Sequence, residues 1–168
     1  MISSFELELD LQEACKATIP SLETLEHWIH TTLQAHHHKL HHPIMTLTLR
    51  VVDEAEIQTL NSTYRNKNTP TNVLSFPNHM SEDMHQLFDE QELGDIVLCA
   101  SIVEQEAHTQ HKNLQAHWAH MVVHSTLHLL GYDHILENQA QEMESYEKAI
   151  LKTLGFCDPY QSDYQEQT

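Results

Sequence analysis

Residues 113–130, NLQAHWAHMVVHSTLHLL, constrain this chain more than any other segment. Leu114, Trp118, Met121, Val122 and Leu129 lie on one side of a helix drawn through them, and Val123, Leu127 and Leu130 cover another. A helix apolar almost all round belongs inside a protein, with other elements packed about it. Yet His117, His120, His124 and His128 follow at spacings of 3, 4 and 4, which puts four imidazoles in one stripe on that helix. Gly131 then supplies a residue that turns left-handed at little cost. The chain reverses, and Tyr132-Asp133-His134 brings a further imidazole back beside the stripe. The pattern is His124-xxx-His128-xx-Gly131-xx-His134. Histidines at i and i+4 share a face and reach one cation at ~2.0–2.1 Å, and His134 adds a third ligand. Three protein ligands leave one tetrahedral position open to water, the arrangement of catalytic zinc sites.

The spacing is that of the metzincin peptidases, HExxHxxGxxH, with one difference. Ser125 follows the first histidine where those enzymes carry a glutamate base, and a hydroxyl does not take a proton from water at neutral pH. His117 and His120, one and two turns earlier, read as packing or supporting groups. Asp133, beside His134, is a candidate to assist proton removal or to contact substrate, although an Asp next to a ligand more often orients the site.

Around this helix the pattern predicts an α+β fold: a small mixed sheet of about four strands packed with helices. Alternation gives strands at Phe5–Leu11 and Leu47–Val51, Asn72–Pro77 reads as a short strand that Pro77 ends or marks as an edge, and the apolar run Asp95–Cys99 gives a buried one. Ser21 caps a helix carrying Leu22, Leu25, Ile29 and Leu33. Asp53 caps another whose inner face is Ile57, Leu60 and Tyr64. Ser101 and Glu104 have capping-box spacing for a third. Ile135–Leu154 forms the last helix, with Gly155 as its stop. His79–Glu92 reads as a polar loop. The expected organisation is one metallohydrolase-like domain over residues 1–155 and a polar, flexible tail over 156–168.

Composition removes several function classes. Three glycines at these spacings make no dinucleotide loop, no Walker loop and no nucleophile elbow. Three cysteines without a CxxC pair give neither a cysteine-rich zinc site nor a disulfide framework. The start MISSFELELD has no secretory signal pattern, and no apolar run approaches the ~18 residues of a membrane span. A cytoplasmic protein is expected.

Eight Lys+Arg against 25 Asp+Glu give a formal charge of −17, which counts against a general DNA or RNA coat. The bases are not spread evenly, however. The stretches 27–52, 57–81 and 107–132 hold no acid, and they carry Lys39, Arg50, Arg65, Lys67 and Lys112. One locally positive cleft on an acidic body is the expectation. The run His36-His37-His38-Lys39-Leu40-His41-His42 reads as a solvated loop whose imidazoles lack a fixed geometry.

HMVVHSTLHLLGYDH (residues 120–134), LNSTYRNKNTPTNVLSFP (60–77) and LGDIVLC (93–99) together resemble the YbeY endoribonucleases, bacterial rRNA maturation factors. The resemblance runs from about Asp53 to Tyr160. The family commonly has glycine where this chain has Ser125, and the histidine run has no counterpart in the family pattern. The resemblance implies a zinc-dependent, single-strand-specific endoribonuclease. It would act in rRNA processing at the 16S 3′ end and in ribosome quality control. It implies one zinc per chain on His124, His128 and His134, and a functional arginine at Arg65. Lys67 would be a further phosphate contact. Single-stranded rRNA and the small ribosomal subunit with its proteins are the implied partners, with no membrane and no DNA. The competing readings are a metallopeptidase-like hydrolase and a non-catalytic, zinc-stabilised ribosome-associated factor.

Overall fold

The computed structural model describes residues 2–161. Strands β1 (Glu6–Ala14) and β2 (Ile44–Val52) flank helix α1 (Leu22–Ala35), and helix α2 (Glu54–Arg65) precedes strand β3 (Val73–Pro77). A one-turn helix α3 (Glu82–His85) leads to strand β4 (Glu90–Cys99). Helices α4 (Ala100–Thr109), α5 (Leu114–Leu129) and α6 (Glu137–Thr153) complete the chain. The sheet order is β1-β2-β4-β3, with β1, β2 and β4 parallel and β3 antiparallel on the edge. This is the small mixed four-stranded sheet that the sequence predicts.

Alternation decides what each face of the sheet meets. Met45, Leu47, Leu49 and Val51 of β2 point to one side and are buried with Ile96 and Leu98 of β4. That face packs Leu25, Trp28, Ile29 and Leu33 of α1, most of α5, and Met143, Ile150 and Leu151 of α6. Val52, Leu74, Val97 and Cys99 point the other way into a smaller cluster beneath Ile57 and Leu60 of α2. Burying a large aliphatic or aromatic side chain is worth ~1.5–3 kcal/mol. The larger cluster therefore dominates the fold and fixes α5 at its centre.

Helix ends are set by local chemistry. Ser21, Asp53 and Asn113 each accept a hydrogen bond from the backbone three residues on, capping α1, α2 and α5. Two helices end alike. Gly131 N–H donates to His128 C=O and Tyr132 N–H to Leu127 C=O, while Gly155 N–H donates to Lys152 C=O and Phe156 N–H to Leu151 C=O. Both glycines have positive φ, 98° and 91°. This is the paired bonding of the Schellman motif.

Four expectations need correcting. Helix α4 begins at Ala100, directly from β4, and its cap, Cys99, makes no side-chain cap bond. Ser101 and Glu104 therefore lie inside the helix, because the end of the strand sets the start. The supposed loop 79–92 holds α3 and the first residues of β4. Gln91 occupies an inward position there, accepting from His41 N–H at 2.7 Å, and its polarity hid the alternation. Tyr64 faces outward, and Asn61 takes the inner position on α2, with its amide donating to Thr69 C=O at 2.8 Å. Helix α6 starts at Glu137, since Ile135 and Leu136 are still in the turn that follows α5.

Residues 156–161 lie against the body. Phe156 packs on the main core with its ring edge-on to Trp28. Residues 162–168 of the expected tail lie outside the described residues.

At Gly94 the edge strand approaches β4 too closely for a side chain. At φ 131° this glycine pairs with Pro77, and a Cβ there would stand 2.2 Å from the Phe76 carbonyl oxygen. Gly94→Ala is expected to destabilise the fold by about 3 kcal/mol, because backbone must move on β3. Thermal unfolding should show a midpoint lowered by about 5–10 °C; an unchanged midpoint would refute this account of the edge strand.

Candidate metal centre and cleft

Helix α5 carries the histidine stripe along a core-facing cylinder. His117 and His120 are buried, and His124 and His128 emerge near its C-terminal end. The Gly131 turn then returns the chain so that His134 meets them. His128 Nε2 stands 3.1 Å from His124 Nε2 and 3.1 Å from His134 Nδ1. A tetrahedral ion with ~2.0–2.1 Å bonds separates its donors by ~3.3 Å. Both 3.1 Å separations lie close to that value, and the three residues offer donor atoms all within 4.8 Å of one another, a group that could hold one cation.

The protonation pattern fits the same use. His128 Nδ1 donates to the Tyr132 carbonyl at 2.9 Å, which leaves Nε2 with its lone pair toward the centre. Burial first, then repulsion from His124 and His134, lowers the His128 pKa to about 4. The ring is therefore neutral at physiological pH, the form that binds a metal.

Behind the triad lies a group that the sequence reading passed over. Glu147 of α6 is only 1% exposed and accepts from His124 Nδ1 at 2.5 Å. Tyr160 donates its hydroxyl proton to the other carboxylate oxygen, and His120 Nε2 lies 3.5 Å from Oε1. Burial alone would raise this carboxyl group, but the hydrogen bonds from His120 and His124 hold it down at about 2. A buried carboxylate on the far nitrogen of a ligand histidine fixes both ring orientation and tautomer. The signal was present in the sequence. Glu147 lies four residues after Met143 and three before Ile150, an acid on the apolar face of an otherwise ordinary amphipathic helix.

His117 donates to Glu106 at 3.1 Å, and Glu106 also accepts from the Asn72 amide, so this histidine ties α5 to α4 and to the start of β3. Asp133 Oδ1 accepts from the His134 backbone N–H at 2.7 Å and shapes the turn. The Ser125 hydroxyl is buried and donates to the Met121 carbonyl at 2.6 Å, away from the triad.

A cleft of about 760 Å³ opens over the triad. Its walls are the end of α2, strand β3 and the turn from Gly131 to Ile135. Arg65, in the last turn of α2, lines it; Asn66, with φ 58°, ends the helix immediately after. No ion-pair partner is found for Arg65 among the described residues. The other arginine is committed: Arg50 forms two bonds to Glu56, at 2.6 and 2.9 Å, and one to Gln12. Lys67 is not among the residues lining the cleft.

The histidine run joins α1 to β2 and most of its imidazoles are exposed or half-buried, as expected of a loop, but its start is held inward. His36 is buried, and its Nδ1 shares a 2.8 Å hydrogen bond with the Tyr132 hydroxyl. Residues 37–39 form a 3₁₀ turn, and Lys39 Nζ lies 5.0 Å from the Tyr132 ring centroid. Apolar packing around Tyr132 and Tyr146 draws the start of the run inward.

Fold and site together define a class: a mixed α/β protein carrying an open three-histidine centre beneath a cleft with an unpaired guanidinium. The chain belongs to the endoribonuclease YbeY family, whose model matches residues 11–155. It is 48% identical over 157 residues to the endoribonuclease YbeY of Pseudomonas putida KT2440, covering 94% of this chain and 95% of that protein. A solution structure of a Thermotoga maritima protein shares the fold, with a TM-score of 0.55 and 23% identity over 92% of this chain and 99% of that one.

Glu147→Gln replaces an acceptor facing His124 Nδ1–H with an amide. Zinc affinity, read by competition with a coloured chelator, is expected to fall about 10- to 100-fold with the fold retained. Unchanged affinity would show that Glu147 does not orient the ligand.

Proposed function

We propose that this chain is a metal-dependent endoribonuclease that cuts single-stranded RNA in the cleft above His124, His128 and His134. The observation that carries the reading is the convergence of three ring nitrogens at ligand spacing beneath a cleft that also presents a free arginine. Membership in the endoribonuclease YbeY family supports the substrate class. Zinc is the ion proposed, one per chain, because three neutral imidazoles suit it and the donor spacing matches. When bound, such an ion supplies Lewis acidity to a water or a phosphoryl oxygen.

The chain's own residues do the rest. Arg65 holds phosphate oxygens through its two-pronged guanidinium and stabilises charge that builds on the phosphoryl group. It meets no competing carboxylate among the described residues, so its full charge is offered to substrate. Asp133 and Glu147 fix the ligand histidines from behind, through the His134 backbone and His124 Nδ1. Ser125 takes no part in proton transfer, since its hydroxyl is spent on the helix backbone. That also weighs against peptidase chemistry, which needs a base at this position.

We further propose that the substrate is rRNA, processed at the 16S 3′ end in ribosome maturation and quality control within the cytoplasm. A net charge of −17 limits direct grip on a polyanion, and it suits docking against basic proteins of the small ribosomal subunit. No helix among the described residues is long and apolar enough to cross a membrane.

Cleavage of a labelled single-stranded RNA, run beside His128→Ala from the same preparation, tests the reading. Wild type should cut and the variant should not; equal cutting or none by either would overturn it. Arg65→Ala should lower turnover at least 10-fold with zinc still bound, and loss of zinc would make Arg65 structural instead. Ser125→Gly should keep most activity at a stability cost of about 1 kcal/mol, that of a helical glycine. A large activity loss would give Ser125 a chemical role.

A further inference from the structure

Tyr64 is 64% exposed, although it sits in the last turn of a helix packed on the sheet and lines the same cleft as the triad. Its ring is not loose. The Phe76 ring on β3 meets it at 5.2 Å between centroids and 67° between planes, an edge contact. Phe76 is itself anchored in the cluster beneath α2. An edge-to-face contact braces a ring while covering at most one of its faces. Arg65 follows directly, and successive helical residues diverge by about 100°, so a phenol face and a guanidinium address different parts of one ligand. Across the cleft, Ile135 is 81% exposed in the turn after Gly131.

An exposed flat ring beside a free cation matches a nucleotide: a base to stack and a phosphate to hold. We propose that Tyr64, braced by Phe76, stacks on an unpaired base next to the phosphate held by Arg65, and that this contact sets the requirement for a single strand. In a duplex each base face is covered by its neighbours, so the ring has nothing to stack on. The inference rests on the endoribonuclease reading above and adds a base subsite to it.

The test compares wild type, Tyr64→Ala and Tyr64→Trp on one oligoribonucleotide in three forms. These are the single strand, the same strand annealed to its complement, and a strand with an abasic position beside the cut. Tyr64→Ala is expected to raise KM on the single strand about 10-fold, the usual consequence of losing one stacked base. Its zinc content and melting temperature should stay at wild-type values, and its preference over duplex should shrink. Tyr64→Trp should preserve the wild-type KM. The abasic strand should cost wild type the same factor and Tyr64→Ala nothing more. Equal KM for wild type and Tyr64→Ala overturns the inference while leaving the endoribonuclease reading in place. So does a Tyr64→Ala variant that cleaves free RNA normally but no longer binds small ribosomal subunits, since that would make the ring a protein-docking group. Absence of RNA cleavage by wild type overturns both readings.

Discussion

An ionised carboxylate as deeply buried as Glu147 costs several kcal/mol unless its oxygens are met by donors. Here they are met from two directions, by His120 and His124 on α5 and by Tyr160 beyond α6. The site depends on that exchange. Removing any one donor leaves charge uncompensated, and removing the carboxylate frees a ligand histidine to rotate. The same contacts join α5, α6 and the segment after Gly155, so the network that orients the centre also closes the helical layer. Tyr160 shows the reciprocal effect: burial and the Glu147 bond push its hydroxyl pKa upward, which keeps it a donor.

The apolar surface of α5 supplies the rigidity this network needs. Its contacts reach α1, α4, α6, β3 and β4. A close-packed interior does not deform continuously, so the helix that carries the stripe of imidazoles is held in place behind the cleft. The edge strand β3 then places the far wall of the cleft, and its close approach to β4 at Gly94 holds that wall near the triad.

Much of this could be read from the chain itself. The histidine spacing with Gly131 between the second and third ligands predicted the convergence now seen, because helical periodicity and a left-handed turn leave little freedom. All four strands were legible as well, two from alternation and β4 in part from the apolar run Asp95–Cys99. What escaped was tertiary in origin. The start of β4 was masked because Gln91, a polar residue, faces inward and bonds to His41. Tyr64 has the right spacing for an inner face, but Asn61 displaces it by satisfying the Thr69 carbonyl. Glu147 was passed over because the partners that give it a role lie on α5 and after Gly155. His36 lay in a run that composition alone marks as loop, while its partner, Tyr132, is distant in sequence.

The Schellman ending of α5 divides the candidate centre into unequal parts. His124 and His128 belong to a helix locked in the core, whereas His134 stands on an exposed segment outside it. Two donors thus sit on a packed helix and the third on an exposed arm. Local opening concentrates where apolar contacts are few. Were an ion held by these three histidines, the donor on the exposed segment, His134, would release it first. The hydrogen bonds that restrain it, from His128 to the Tyr132 carbonyl and from Tyr132 to His36, would act as a brake on the ion's residence time. In that light the buried start of the histidine run tethers the exposed segment that carries His134.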